Sequence, residues 1–449
     1  MKYYIIAGEP SGDLHGSNLM RGILKADPEA QFRFWGGDKM SEVGGVENLV
    51  KHYKQTSFFG FMQVLRNLRT IFSQIDECKR DIADFQPDVV VLIDYPGFNM
   101  KIAKWAHQVG LQVHYYIAPK AWAWKERRVK ALRKYVDKLL IIFPFEQEWF
   151  GRRGVKNITF CGNPLMDAIT ERKPTLPSGE EFRERNGLDE RPIVALVAGS
   201  RVSEIKDNLP EMVALSKRIP DRQFVVTGVE WIAREVYDKI LSGSDVKVVY
   251  NQTYDTLNVA EAAVVTSGTA TLETALMGIP EMVLYHIPKL YEVLRPLVLK
   301  IPFVSLVNIN LGREAVREIV VAKVNQDEAE RELRSILNGG LKRAKMLADF
   351  DQLRTIIGNE GASERFADCI VKAIQNSKFK IVNPSVLRTA PLRQGSSLEK
   401  TQKLLPYGRG GGQRPEGSEN RLKLTIDDCC FGYIWCCLAC DSTIYSQIP

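Results

Sequence analysis

Over the first 150 residues, short β-branched runs alternate with longer stretches whose apolar residues recur at helical spacing. "KYYIIAG" (2–8), "QFRFWGG" (31–37), "DVVVLID" (88–94), "QVHYYIA" (112–118) and "KLLIIF" (138–143) read as strands. Between them, "HGSNLMRGILKA" (15–26), "FMQVLRNLRTIFSQIDECKRDIADF" (61–85), "IAKWAHQVG" and "RRVKALRKYV" read as helices. In the second of these, Phe61, Leu65, Leu68, Phe72 and Ile75 form one stripe. The run "VVVLI" (89–93) has no polar alternation, as expected of a strand covered on both faces. Strand–helix alternation of this kind predicts a parallel sheet wrapped by helices.

"TERKPTLPSGEE" (170–181), rich in proline and charge, interrupts the rhythm, which then restarts. "RPIVALVAGS" (191–200), "RQFVVTG" (222–228), "VKVVYN" (246–251), "AVVTSG" and "PEMVLY" read as strands, "TYDTLNVAEA" and "TATLETALMG" as helices. The pattern predicts an α/β chain of two doubly wound domains, 1–170 and 185–345, each opening with strand, glycine loop and helix. Helices over 346–377 close the globular part and are expected to pack back on the first domain. Residues 378–449, with the low-complexity "RGGGQRPEGSEN" (409–420), read as an unstructured extension unrelated to the rest.

Composition narrows the function. The net charge of +7 divides into +4 over 378–449 and +3 over the remaining body. A nearly neutral body excludes a general nucleic-acid binder, which needs a basic face. The longest apolar runs are strand-sized, and "YYIIA" after Lys2 is too short for a signal-peptide core, so a cytoplasmic protein is expected. Cys78, Cys161 and Cys369 are scattered through the body and suit a reducing compartment. Five further cysteines crowd into 429–440 in no zinc spacing, and the five histidines fall in no metal or triad spacing.

Five stretches carry candidate chemistry. "GEPSGD" (8–13) follows the first strand but is neither a P-loop nor GxGxxG. Asp13 reads as the N-cap of the next helix, whose N-terminus would attract an anion. In "LIDYPGFN" (92–99), Asp94 stands at the carboxyl end of a buried strand, where open α/β sheets bind ligands and a carboxylate can take a proton from a hydroxyl. "VAGSRVSEI" (197–205) offers small residues, Gly199 and Ser200, for close approach to a phosphate, with Arg201 as a charged donor. "TSGTATLE" (266–273) repeats that logic through Ser267, Gly268 and Thr269, and Glu273 lies one turn into the helix, in position to accept ribose hydroxyls. Each loop alone is also ordinary strand-to-helix turn chemistry; together, the last two point to a nucleoside diphosphate.

The fifth stretch is "SFFGFMQVLRNLRTIF" (57–72). Phe58, Phe59, Phe61, Met62 and Leu65 cover more than one helical face, with Arg66 and Arg69 between them. That fits a segment resting in a membrane interface or holding acyl chains, and equally a heavily buried helix. "WAWKERRVKALRKY" (122–135) adds Trp122, Trp124 and a basic run.

"AGEPSGDLHG", "GFMQVLRNLRTIF", "PDVVVLIDYPGFN", "HYYIAPKAWAWKERRV", "FPFEQEWF", "CGNPLMDAI", "AGSRVSEI", "TSGTATLETALMGIPEMVLY" and "VSLVN" occur in this order from about Lys2 to Ala373. Together they resemble the lipid A disaccharide synthase family, glycosyltransferases of bacterial outer-membrane biosynthesis. The resemblance implies a GT-B fold, two Rossmann-like domains facing across a cleft. It implies an inverting, metal-free and cofactor-free transfer of the sugar of UDP-2,3-diacylglucosamine to 2,3-diacylglucosamine 1-phosphate (lipid X), giving the disaccharide 1-phosphate and UDP. Asp94 would be the general base and Arg201 would sit at the donor diphosphate. Gly199, Ser200, Ser267, Gly268, Thr269, Glu273 and Asn308 would complete the UDP side, while Ser11, Gly12 and Asp13 would face the acceptor. Residues 57–72 would dock peripherally on the inner-membrane surface; a homodimer stays open. Asn163 stands where many family members carry His, so no role of that His carries over. The alternatives are another UDP-sugar enzyme of this fold, such as a peptidoglycan glycosyltransferase or an epimerase, and a non-catalytic dinucleotide-binding or membrane-surface adaptor protein.

Overall fold

A computed structural model of the chain describes residues 1–55, 68–123, 125–266, 268–289, 292 and 302–377, without the side chains of Leu68 and Arg69. Two all-parallel sheets organise these residues. The first contains β1 (Lys2–Ala7), β2 (Gln31–Gly36), β3 (Leu49–His52), β4 (Val89–Ile93), β5 (Gln112–Tyr116), β6 (Lys138–Ile141) and β7 (Ile158–Phe160), in the order β3-β2-β1-β4-β5-β6-β7. The second contains β8 (Ile193–Val197), β9 (Gln223–Gly228), β10 (Lys247–Tyr250), β11 (Ala260–Val265), β12 (Glu281–His286) and β13 (Glu318–Val321), in the order β10-β9-β8-β11-β12-β13. Each order reverses direction after the third strand, which is the doubly wound arrangement.

The apolar runs form central strands because both faces are covered. In β1, Tyr3, Ile5 and Ala7 enter one core cluster while Tyr4 and Ile6 enter the other. In the second sheet Val194 and Leu196 face one core, Ile193, Ala195 and Val197 the opposite one. The strands that the pattern does not reveal are β3, β7 and β13, all at sheet edges. Three or four residues long, and in β3 and β7 half-exposed throughout, they lack the continuous apolar signature. The helix expected over "TYDTLNVAEA" stops at Val259, and Ala260 and Glu261 already belong to β11.

The chain crosses between the sheets twice, at one place. After β7 it leaves through Cys161–Pro164 into the helix Leu165–Arg172, whose Leu165, Ala168 and Ile169 pack in the second domain's core. It returns through residues 358–361 into the helix Ala362–Asn376. Of the C-terminal helices expected to pack back on the first domain, only this last one does so. Phe366, Ile370 and Ile374 join the β1 core, whereas Met346, Phe350, Leu353 and Ile357 of the helix Arg343–Ile357 belong to the second domain. The two crossings touch at glycines: a Cβ on Gly358 would stand 3.3 Å from the Cα of Gly162. Asp167 on the outgoing helix accepts the amides of Gly361, Ala362 and Ser363 at 2.5–3.1 Å, tying it to the start of the returning one.

Candidate active site

In doubly wound sheets ligands bind outside the carboxyl ends of the strands, where the order reverses. In the first sheet that crevice lies between the loop after β1, at Gly8 and Glu9, and the loop after β4, at Asp94 and Tyr95. In the second it lies between the loop after β8, at Gly199–Arg201, and the loop after β11, at Thr266–Gly268. Topology thus brings four of the five singled-out stretches to the two switch points.

Asp94 is held in an unusual backbone. Asp94 and Tyr95 both have positive φ, 40° and 46°. For residues with a Cβ this costs about 1–2 kcal/mol each and persists only where surroundings fix it. Here they do. The Asp94 amide donates to the Tyr116 carbonyl at 3.0 Å. Its carbonyl accepts from the Tyr115 hydroxyl at 2.6 Å and from Asn99 Nδ2 at 2.8 Å. Pro96 then starts the helix Pro96–Gln108 with its φ preset. The half-buried carboxylate of Asp94 therefore leaves the sheet at a fixed corner. Tyr115 reaches this corner from the neighbouring strand β5, a relation that the local sequence does not show, whereas Asn99 reaches it from the first turn of the following helix.

The loop after β1 serves Tyr95. A Cβ at Gly8 would lie 2.3–2.7 Å from the Tyr95 ring, so only glycine lets that ring lie across the strand end. Tyr95 also stacks on Phe98, with centroids 5.6 Å apart.

The helix after β1 begins earlier than its pattern indicates, at Pro10, with Glu9 as N-cap. Asp13 is consequently not the cap of that helix. Its carboxylate accepts the amides of Gly37, Lys39 and Met40 at 2.6, 3.1 and 3.1 Å, and so caps the helix Asp38–Gly44. Burial raises its pKa although these bonds oppose the shift. Ser11 and Gly12 are likewise buried in the first helical turn. These residues shape the crevice from behind.

At the second switch point Gly199 has φ +108°, and a Cβ there would meet Glu204 Oε2 at 2.6 Å. The Glu204 side chain is buried, and the same oxygen accepts the amides of Ser200 (3.1 Å) and Arg201 (3.3 Å). Its other oxygen pairs with Arg201 Nη1 at 3.1 Å. The helix N-terminus expected to offer these two amides to a phosphate thus satisfies them with its own glutamate. The signal was present, since a glutamate three residues past the N-cap is half of a capping box. Trp231, half-exposed, donates its indole N–H to the Ser200 carbonyl at 3.0 Å and adds an aromatic wall.

Beside it, Gly268 (φ +155°, ψ −159°) occupies backbone space open essentially to glycine and caps the helix Thr269–Met277. Ser267 lies outside the described residues, as do Trp124 and, of the membrane-facing set, Phe58, Phe59, Phe61, Met62, Leu65, Arg66 and the side chain of Arg69. Glu273 sits one turn into the helix, buried, with Oε1 accepting from the Tyr254 hydroxyl at 2.6 Å.

Asn308 departs from its expected place on the donor. It is fully buried, and Nδ2 donates to the Val316 carbonyl (2.8 Å) and Glu318 Oε1 (2.9 Å). Oδ1 accepts the amides of Ala315 (2.7 Å) and Val316 (3.0 Å). An amide side chain has no further capacity once it makes four bonds. Asn308 therefore builds the loop before β13 with its whole side chain.

Sequence reasoning missed Glu146. It is buried, accepts the Trp122 indole N–H at 2.9 Å and the Phe143 amide at 3.2 Å, and burial raises its pKa to about 7. Trp122, Ala123 and Phe143 pack in one cluster with second-domain residues, so this carboxyl supports the wall between the domains.

A family model described as lipid-A-disaccharide synthetase matches residues 3–374. A lipid-A-disaccharide synthase of Geobacter sulfurreducens is 35% identical over 378 residues, covering 82% of this chain and 96% of the relative. One of Myxococcus xanthus is 33% identical over 377 residues, covering 82% and 97%. A solved UDP-GlcNAc 2-epimerase from Neisseria meningitidis bound to UDP-GlcNAc superposes with a TM-score of 0.57 at 12% identity, over 83% of this chain and all of that one. At that identity it speaks for the fold alone.

Proposed function

The chain belongs to the lipid-A-disaccharide synthetase family, and on that footing we propose that its two switch-point crevices divide the reaction between them. It is a GT-B glycosyltransferase that joins UDP-2,3-diacylglucosamine to 2,3-diacylglucosamine 1-phosphate, forming the lipid A disaccharide 1-phosphate and UDP.

The observation that carries the proposal is the fixed corner at Asp94. A carboxylate set rigidly at a strand end can accept the proton of the acceptor's 6-hydroxyl as that oxygen attacks the anomeric carbon. The opposite face of that carbon loses UDP, and negative charge builds on the diphosphate. The Arg201 guanidinium and the N-terminus of the helix Thr269–Met277 meet that charge. Glu204 orients the guanidinium through Nη1. Glu273, fixed by Tyr254, lies one turn below, toward the ribose. Gly8 and Tyr95 form the acceptor's side of the crevice.

Association with the inner membrane, on its cytoplasmic side, is part of the same reading. No helix among the described residues is long and apolar enough to cross a membrane. Both substrates carry acyl chains, and the apolar excess of 57–72 would take them up at the surface. Phe72, the end of that stretch, is 54% exposed with Lys101 Nζ 4.6 Å above its ring, a pairing suited to an anionic interface.

The test is to incubate the enzyme with UDP-diacylglucosamine and lipid X in detergent and follow UDP and disaccharide. Wild type should turn over. Asp94→Asn should bind the donor and fail to transfer, and Arg201→Ala should weaken donor binding and slow transfer. Full turnover by Asp94→Asn would remove Asp94 from the mechanism without touching the assignment of the reaction.

A further inference from the structure

The thiols of Cys161 and Cys369 lie 3.4 Å apart although 208 positions separate them in sequence. Cys161 follows β7 where the chain leaves the first domain. Cys369 lies two turns into the helix that brings it back. Both are partly exposed and reduced, and Arg365, four residues before Cys369 on the same helix face, donates Nε to the Cys161 carbonyl at 2.8 Å. Packing at the crossing holds the pair in place: a Cβ at Gly162 would meet Arg365 Nη2 at 2.8 Å and Ala362 Cβ at 3.2 Å.

We propose that Cys161 and Cys369 form a peroxide-oxidisable dithiol, a modification site that bolts the last helix to the end of β7 beside both interdomain crossings. The chemistry balances with hydrogen peroxide as oxidant. The Cys369 thiolate attacks one peroxide oxygen, the O–O bond breaks, and hydroxide leaves, giving a sulfenic acid. Cys161, as thiolate, displaces that hydroxyl; the S–S bond forms and water leaves once the lost proton is counted. In sum, two thiols and one peroxide give one disulfide and two waters, each sulfur losing one electron. The sulfurs need close only from 3.4 Å to about 2.05 Å. The order of events follows from the surroundings. Cys369 is held below the ordinary thiol range by its hydrogen bond with Cys161 and by Lys138 and Lys372, with burial and Asp368 opposing, whereas Cys161 is raised by the same contact and by burial.

The experiment uses the full chain. The reduced protein is treated with hydrogen peroxide, digested without reductant and mapped by mass spectrometry, which separates any products of the five cysteines at 429–440. A linked peptide joining Cys161 to Cys369, lighter by two hydrogens and split by dithiothreitol, is expected. In Cys161→Ser, which lacks the second thiol, dimedone should trap a sulfenic acid on Cys369. Oxidised wild type should show slower amide exchange over 358–376 than reduced wild type, and Cys161→Ser should show no such difference. Absence of the linked peptide, no dimedone adduct on Cys369 in Cys161→Ser, or unchanged exchange on oxidation would each overturn the proposal.

Discussion

The Tyr115 hydroxyl donates to the Asp94 carbonyl at 2.6 Å, so β5 fixes the residue that follows β4. Removing the hydroxyl leaves Asn99 to hold that carbonyl alone. Tyr115→Phe should cost about 1 kcal/mol of stability by denaturant titration. It should also lower kcat by about tenfold with KM for the donor nearly unchanged, because the Asp94 carboxylate loses its fixed origin. A variant with wild-type kcat would show that the clamp is only structural.

Gly8 and Tyr95 give a second check on the same corner. Gly8→Ala places a methyl group within 2.7 Å of the ring, which must swing away and carry Asp94 with it. Transfer should fall by about tenfold or more while UDP binding to the other domain persists. Equal losses in both measurements would point to general misfolding instead.

Asn308 is expected to report on stability rather than on substrate. Asn308→Ala strips partners from buried groups of Val316, Glu318 and Ala315, and should lower unfolding free energy by about 2–4 kcal/mol. In the folded fraction, KM for UDP-diacylglucosamine should stay within about twofold of wild type, since a twofold change is less than half a kcal/mol. A large rise in KM at unchanged stability would return Asn308 to the donor.

Glu146 and His15 should tilt stability with pH in opposite directions. Burial moves the Glu146 carboxyl from 4.5 to about 7, so its favourable contribution is complete below pH 4.5 and is lost as pH rises through 7. Burial moves His15 from 6.5 to about 4, so its contribution is present above pH 6.5 and is lost as pH falls through 4. Glu146→Gln removes the first term only. The stability of this variant relative to wild type should climb by on the order of 3 kcal/mol between pH 4.5 and 7. A flat difference curve would show that Glu146 ionises freely.

The described core closes at the helix Ala362–Asn376, and the family match ends at residue 374. A chain cut after Ser377 should therefore keep its melting temperature and its turnover of UDP-diacylglucosamine and lipid X. A marked loss of either would give the last 72 residues a part in the enzyme.

Much of this architecture is legible in the sequence, for a definite reason. Central strands such as "VVVLI" are buried on both sides, so every residue reports the environment. Edge strands such as Leu49–His52 and Ile158–Phe160 are half-exposed, and pairing on one side alone leaves no such mark. The site divides in the same way. Glycines that a side chain would obstruct, Gly8 and Gly199, and the loops at strand ends are visible as local punctuation. The partners that fix them are not, because Tyr115 and Tyr254 act across sequence gaps that only the folded sheets close. Asp13 and Asn308 show the converse: a polar residue in a telling motif can be consumed by backbone amides elsewhere.

The return of the last helix to the first sheet also sets the order in which the enzyme can be made. Synthesis runs from the N-terminus, yet the β1 core lacks Phe366, Ile370 and Ile374 until almost the whole described chain has been translated. The second domain, its strands lying between Ile193 and Val321 and its packing completed by the helix Arg343–Ile357, is finished first. The domain whose strands come first is thus the last to be sealed, and until then part of one face of its sheet, beside Leu19, Met20 and Ile23, stays uncovered.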